Sequence, residues 1–540
     1  MKKEKLRRLI AIVLIVIFTF SVVPKTFQND TFYVIELGRR ISENGIDWQD
    51  HYSIHPNLEY KYPHWVFDII NYFIYNAFGF GGIYVGTCVL ASIFMLLVFW
   101  NMRRKEINFN LAFFSTLIVA YLMKGTFYAR GQIVSYSIFL LEYMILENFV
   151  ERPTFFKSLA LFALSVIMAN IHGTAWMMML VLVLPFIGEQ VVYWYSLKGI
   201  NERQLRKFKK KLKKAKEENA SQEEIAKIEA KLADFEEFKM KYAEAESQKE
   251  HKILIKEKKN IKYIWVACLV LILGALLTPF GLTPIIYVLK TSVGNSMSYI
   301  NEHLPIIPAS SMEFLTYSIV MVALLGFTKS KLKLYDAFLI LGLYLMTLSG
   351  RRYEFLLIGL TAGIVTKMID DFMKENIQTE NEKVSKTFFI IICIVGAVAS
   401  IYFFVDKRKD SYISEKTYPV QATRFIKENL DYQNIRMYNG YNYGSYLLME
   451  GIPVFIDSRC DLYTPEFNKG VTVFDDYMKG QAGKITIAGL MDQYELEYAL
   501  VAAGSYEDNY MEEDLRFTQI YQDENFAIYE YMGNGERVAK

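Results

Sequence analysis

Long uncharged apolar runs, separated by short clusters of lysine and arginine, restrict this chain more than any other feature of it. A run of about 20 apolar residues matches the thickness of a bilayer core, where only segments that satisfy their own backbone can lie. Charged residues are 22% of the chain, close to a normal soluble share, while hydrophobic residues reach 53%. Both values hold together only if the two kinds of residue are segregated, so the sequence reads as an α-helical multi-spanning membrane protein. A formal net charge of +2 gives no global basis for binding nucleic acid. Cys88, Cys268 and Cys393 lie in apolar runs and Cys460 in a polar one, without a CxxC pair. That argues against a disulfide framework, a structural zinc site and a redox motif.

About eleven transmembrane helices are expected: Arg8 to Pro24, then approximately 82–101, 108–123, 132–149, 155–170, 174–196, 261–279, 312–327, 334–349, 354–371 and 386–405. Lys2, Lys3, Lys5, Arg7 and Arg8 precede the first span, and no small-x-small cleavage site follows it, so it reads as an uncleaved helix with a cytoplasmic N-terminus. An odd number of spans then puts the C-terminus outside. Residues His64 to Phe78, with Trp65, Tyr72 and Tyr75, read as a helix lying in the outer interface. The expected organisation is a membrane region 1–199 with a first extracytoplasmic loop 25–81, a cytoplasmic insert 200–260, a second membrane region 261–405 and an extracytoplasmic domain 406–540.

In the insert, Leu205, Phe208 and Leu212, then Ile225, Ile228, Leu232, Phe235 and Phe238, recur at three and four residues, and Ser221 to Glu224 offers a capping box. This predicts a charged helical hairpin, a solvated spacer or a docking arm for a protein partner. The C-terminal piece alternates a helix, Val420–Leu430, with strand-like runs Ile435–Tyr438, Pro453–Ile456, Tyr498–Val501 and Phe526–Tyr531, which predicts a small α/β domain.

Ionisable residues near a membrane face are costly and ask for a role. Five of the six histidines, all but His251, fall on the expected outer side. With them stand Asp30, Lys61, Arg130, Glu302, Arg351 and Arg352, and the polar pair Asn170 and His172. Arginine binds phosphate oxygens in a bidentate fork, and a carboxylate beside it can take a proton from a hydroxyl nucleophile. The set suits a reaction on a phosphate-linked lipid at the outer leaflet, with Arg130, Arg351 and Arg352 for the phosphate and Lys61, His55, His172 and Glu302 as further substrate-binding candidates. Each has a plainer reading: Asp30 caps a helix over Thr31–Ser42, His51 and His55 are loop histidines, and Arg351 and Arg352 are interfacial anchors.

Gln28-Asn-Asp30 directly after the first span, the segment Glu43 to Trp48, Lys61-Tyr-Pro-His-Trp65 and the end Phe78-Gly79-Phe-Gly-Gly82 form a familiar order. It resembles the first extracytoplasmic loop of the GT-C superfamily of membrane glycosyltransferases, which includes protein O-mannosyltransferases and lipid A aminoarabinose transferases. Ala129 to Gln132, Ala169 to Gly173, Thr278 to Leu282, Ile300 to Glu302, Gly350 to Arg352, Tyr441 to Tyr446 and Phe455 to Asp461 are similar to an uncharacterised bacterial branch of it. The resemblance implies sugar transfer from a polyprenyl-phosphate donor to a surface glycan, lipid or protein acceptor, with Asp30 as the catalytic carboxylate. Many relatives carry a second acid beside the first, whereas Asn29 and Thr31 flank Asp30 here. A metal-independent reaction without a cofactor is therefore expected, and a catalytically silent scaffold or glycan carrier is the alternative.

Overall fold

The computed structural model describes residues 2–218, 220–247, 253–255, 260–293, 299–307, 309, 311–376 and 382–533. His251 lies outside the described residues.

Helices dominate the chain. Trp65–Arg104, Gly173–Tyr195 and Lys383–Lys409 are long and apolar enough to cross a membrane, and five shorter apolar helices accompany them. On the last of the three, Ile390, Ile394 and Val398 are each more than half exposed and fall on one helical face. Such a stripe is unfavourable in water and at home against acyl chains. The chain is a membrane protein, and a single apolar cluster, from Ala11 to Ile392, joins its helices.

Several expected spans match helices: Phe109–Leu122, Gln132–Phe149, Phe155–Ile171, Met312–Phe327 and Leu334–Ser349. Others differ for local reasons. The expected interfacial helix and the second span are parts of one unit, Trp65–Arg104, interrupted at Gly79 with φ 59° and ψ −158°. A glycine tolerates that conformation and a side chain does not, so the direction changes there. The span expected over 174–196 matches Gly173–Tyr195, within which Met177–Val181 and Leu184–Tyr195 are regular α-helix, the last with Pro185 in its first turn. The span expected over 261–279 narrows to Ile264–Ala275, short of Pro279, and an unexpected helix follows at Thr283–Val293.

The insert forms two packed helices, Leu197–Glu217 and Gln222–Ser247. Phe208 stacks on Phe235 at 5.5 Å, and Lys209–Glu236 and Lys216–Glu229 pair across the seam. Ser221 accepts from the Glu224 amide at 3.3 Å, the expected cap.

The C-terminal piece holds a four-stranded sheet: β1 (Met437–Asn439), β2 (Tyr498–Ala502), β3 (Phe517–Gln522) and β4 (Phe526–Tyr531), in the order β1-β2-β4-β3. β1 and β2 are parallel and the rest antiparallel. Pro453–Ile456 is not a strand of this sheet. Its Val454 exchanges backbone hydrogen bonds with Tyr52 and Ile54 of the first loop instead. The two pieces share one hydrophobic core, in which Phe32 of the loop meets Tyr418 at 4.8 Å and Tyr446 at 5.3 Å. The C-terminal domain is thus seated on the loop that carries Asp30. That loop's helix, Asn29–Asn44, in turn lies flush on the helix starting at Trp65, because a Cβ at Gly38 would stand 2.1 Å from the Asp68 carbonyl.

Candidate functional site

Asp30 occupies the first turn of Asn29–Asn44 and makes no capping bond, since the N-cap residue is Gln28. Its carboxylate instead meets the Arg130 guanidinium at 2.7 Å. Arg130 stands on the turn before Gln132–Phe149 and reaches on to Glu302 at 3.5 Å. Burial opposes the Arg130 charge, but Asp30 and then Glu302 outweigh it and raise its pKa further. Glu302 is pushed up by burial and down, decisively, by Arg130, His303 and Arg352.

Two short turns carry the rest of the row. Asn301–His303 and Arg351–Tyr353 are tied by the Arg351 amide to the Leu304 carbonyl at 3.0 Å and by the Arg351 guanidinium to Asn301 at 2.8 Å. Arg352 donates to His303 Nε2 at 3.4 Å and to the Tyr353 hydroxyl at 2.9 Å. Among the described residues, neither Arg351 nor Arg352 has a carboxylate within ion-pair distance. His303 is pulled down to about 4 by burial and Arg352, so it stays neutral and accepts. His172 ends Phe155–Ile171, shares a hydrogen bond of 2.7 Å with Ser135, and is pulled down to about 3 by burial and by His64, Arg130 and Arg352.

These groups line one cavity of about 1330 Å³. Its lining includes Asp30, Arg130, His172, Glu302, Arg351 and Arg352, from turns and helix ends, and Phe139, Met178, Val181, Val288, Met346 and Leu356, from five helices. A charged head and an apolar tail of one ligand fit such a space. Arg130, Glu302, Arg351 and Arg352 also border a smaller cavity of about 360 Å³ toward Ser311 and Glu313, so the charged row partitions two openings.

Lys61 and His55 are not part of the lining. Leu58, Tyr60 and Tyr62 are buried in alternation with exposed Glu59 and Lys61, so an extended segment aims Lys61 outward. His55 bonds the Phe455 carbonyl at 2.8 Å, packs on Phe455, Tyr463 and Tyr494, and is pushed down by burial. It fastens the loop to the C-terminal domain.

Several lining residues were not singled out individually from the sequence, Tyr33 among them. Its hydroxyl stands 3.2 Å from His64, an expected outer-side histidine that also lines the cavity, and His64 is 2.6 Å from the buried Asp68. The spacing of four between His64 and Asp68 on one helix was the available signal. From the C-terminal domain come Tyr441, Ser458 and Asp461. Asn29 donates to the Tyr441 carbonyl at 2.9 Å, which brings that domain directly beside Asp30.

The sequence matches no family model and no curated protein. Solved structures do match. An oligosaccharyltransferase from Archaeoglobus fulgidus, tethered to an acceptor peptide containing the NVT sequon, superposes with a TM-score of 0.54 at 9% identity, over 91% of this chain and 68% of its own. Its apo form gives 0.51 at 8% identity, over 91% and 69%. ArnT from Cupriavidus metallidurans bound to undecaprenyl phosphate gives 0.51 at 11% identity, over 97% of each chain. The fold is that of the GT-C glycosyltransferases. Within this GT-C fold, residues from the first loop, inter-helix turns and the C-terminal piece converge on one cavity, although Asp30 and Asp461 stand 431 positions apart.

Proposed function

We propose that this chain is a glycosyltransferase of the outer membrane face, taking a sugar from a polyprenyl-phosphate donor and passing it to a hydroxyl of an extracytoplasmic acceptor. The observation that carries the reading is a single cavity lined by the Asp30 carboxylate, by two arginines without carboxylate partners among the described residues, and by apolar side chains from several helices. The fold shared with ArnT bound to undecaprenyl phosphate supports the donor class. In this reading the N-terminus is cytoplasmic and the C-terminal domain extracytoplasmic, as the basic residues before Leu9 favour.

Arg351 and Arg352 receive the donor phosphate, whose negative charge grows as the sugar leaves, so their attraction is stronger in the transition state than in the ground state. The polyprenyl chain lies along Phe139, Val181 and Leu356. Arg130 orients Asp30 and Glu302. The acceptor oxygen attacks the anomeric carbon from the face opposite the phosphate, the carbon–phosphate oxygen bond breaks, and Asp30 takes the hydroxyl proton. One displacement inverts the anomeric configuration. Asp30 and Glu302 share the Arg130 guanidinium, and the step is written with the side chains of this chain alone.

Mass spectrometry of surface glycans and glycoproteins tests the reading in a deletion strain complemented with wild type or Asp30→Asn. At equal expression the variant loses transfer by on the order of 10³-fold or more. Equal glycosylation by the two would make the chain a scaffold or carrier.

A further inference from the structure

Three half-buried carboxyls line the cavity: Asp30, Glu302 and Asp461. The first two are paired with Arg130. Among the described residues, the Asp461 carboxyl has neither an ion pair nor a hydrogen bond, and only its backbone carbonyl is engaged, by Thr464. This freedom is built in. Asp461 is the second residue of the turn Cys460–Tyr463, and the residue before that turn, Arg459, is clamped with no side-chain exposure between Asp50 at 2.6 Å and Asp457 at 2.6 Å. Tyr463, at the other end of the turn, donates to Asp457 at 2.6 Å. A turn held this firmly holds its one unpartnered carboxyl toward the cavity at little entropic cost to a ligand.

We propose that Asp461 is the acceptor-binding carboxyl of this site, taking a hydrogen bond from a hydroxyl of the incoming acceptor. The proposal rests on the transferase reading. The chemistry of the two sides of the cavity supports it. Arg351 and Arg352, from the turns between helices, suit an anion, whereas in the C-terminal piece Arg459 is taken up by Asp50 and Asp457, the Tyr441 hydroxyl by the Ser458 carbonyl and the Ser458 hydroxyl by Ser445, which leaves Asp461 as the open acceptor for a hydroxyl. Burial, then Glu466, pushes Asp461 up to about 7, so its accepting form fills as pH rises through neutrality. Asp30, Arg130, Glu302, Arg351, Arg352 and the clamped Arg459 line the same cavity, and Glu466 is the charge that acts on Asp461 from its own segment.

The test uses purified full-length protein and, as substrate, washed membranes of the deletion strain, which supply donor and acceptor together. Transfer is read by mass spectrometry against the amount of membrane added. Asp461→Asn needs on the order of ten-fold more membrane for half-maximal rate, the size of one lost bond to a charged group, while the maximal rate falls far less. Asp461→Glu recovers part of the loss. In wild type the half-saturating amount falls as pH rises from about 6 to about 8, and in Asp461→Asn it is flat. Binding of undecaprenyl phosphate, measured by thermal shift, is the same in Asp461→Asn and wild type, which shows that the variant is folded. An unchanged half-saturating amount and pH profile in Asp461→Asn, with Asp30→Asn inactive, overturns the acceptor role alone. Transfer by Asp30→Asn at the wild-type rate overturns the transferase reading and this proposal with it.

Discussion

Two arginines near the same cavity each hold a pair of acids, yet they do opposite things. Arg459, Asp50 and Asp457 have side chains with no solvent exposure, and bonds to the Arg459 amide, the Ser53 amide and the Tyr463 hydroxyl satisfy the acids further. Arg130, Asp30 and Glu302 are 29%, 15% and 41% exposed, and their contacts are fewer and looser. A charge removed from water is held only where its partners are complete, and such a knot specifies how two pieces of chain meet. A charge left beside a cavity keeps bonding capacity for a ligand. The first cluster fixes the C-terminal domain on the first loop; the second is where chemistry can occur.

Substitution separates the two. Arg459→Leu strands two buried carboxylates and destabilises the fold by about 3–5 kcal/mol, seen as a lower thermal midpoint and rapid proteolysis of the C-terminal domain. Arg130→Ala leaves its acids in contact with cavity water and costs stability only about 1 kcal/mol, but transfer falls on the order of 10²-fold. If Arg130→Ala unfolded the protein and Arg459→Leu merely slowed it, the assignment of the two clusters would be reversed. A smaller effect comes from acid. His303 and His172 are held down to about 4 and about 3, against 6.5 for an unperturbed histidine. Below that value the unfolded chain binds protons that the folded one refuses. The contribution of these two histidines to stability is therefore full above pH about 6.5 and declines as pH falls toward about 4. His303→Gln shallows the decline recorded by thermal denaturation against pH.

What the sequence disclosed follows from the range of the forces involved. Apolar runs and basic flanks are local, so Leu334–Ser349 and Met312–Phe327 were legible to the residue. The hairpin seam of Phe208 and Phe235 was legible from its spacing. The kink at Gly79 was not, because a hydrophobic run does not reveal where its backbone turns. At the site, Asp30, Arg130, His172, Glu302, Arg351 and Arg352 were readable as polar residues at ends of apolar runs, and one cavity collects them. His55 and Lys61 are not among the residues that line it: polar residues in a loop point either way, and the alternation around Tyr60 and the aromatic rings around His55 set their directions. The packing of Val454 against Tyr52 and Ile54 depends on contacts about 400 positions apart, which patterns of local sequence do not carry.

The account stands on Arg351 and Arg352 as the seat of a lipid phosphate, and equilibrium binding of undecaprenyl phosphate to the full-length protein in nanodiscs examines that directly. Wild type binds it, and the double variant Arg351→Ala/Arg352→Ala binds it on the order of ten-fold to a hundred-fold more weakly with an unchanged thermal midpoint. Equal affinity in the two would contradict the account.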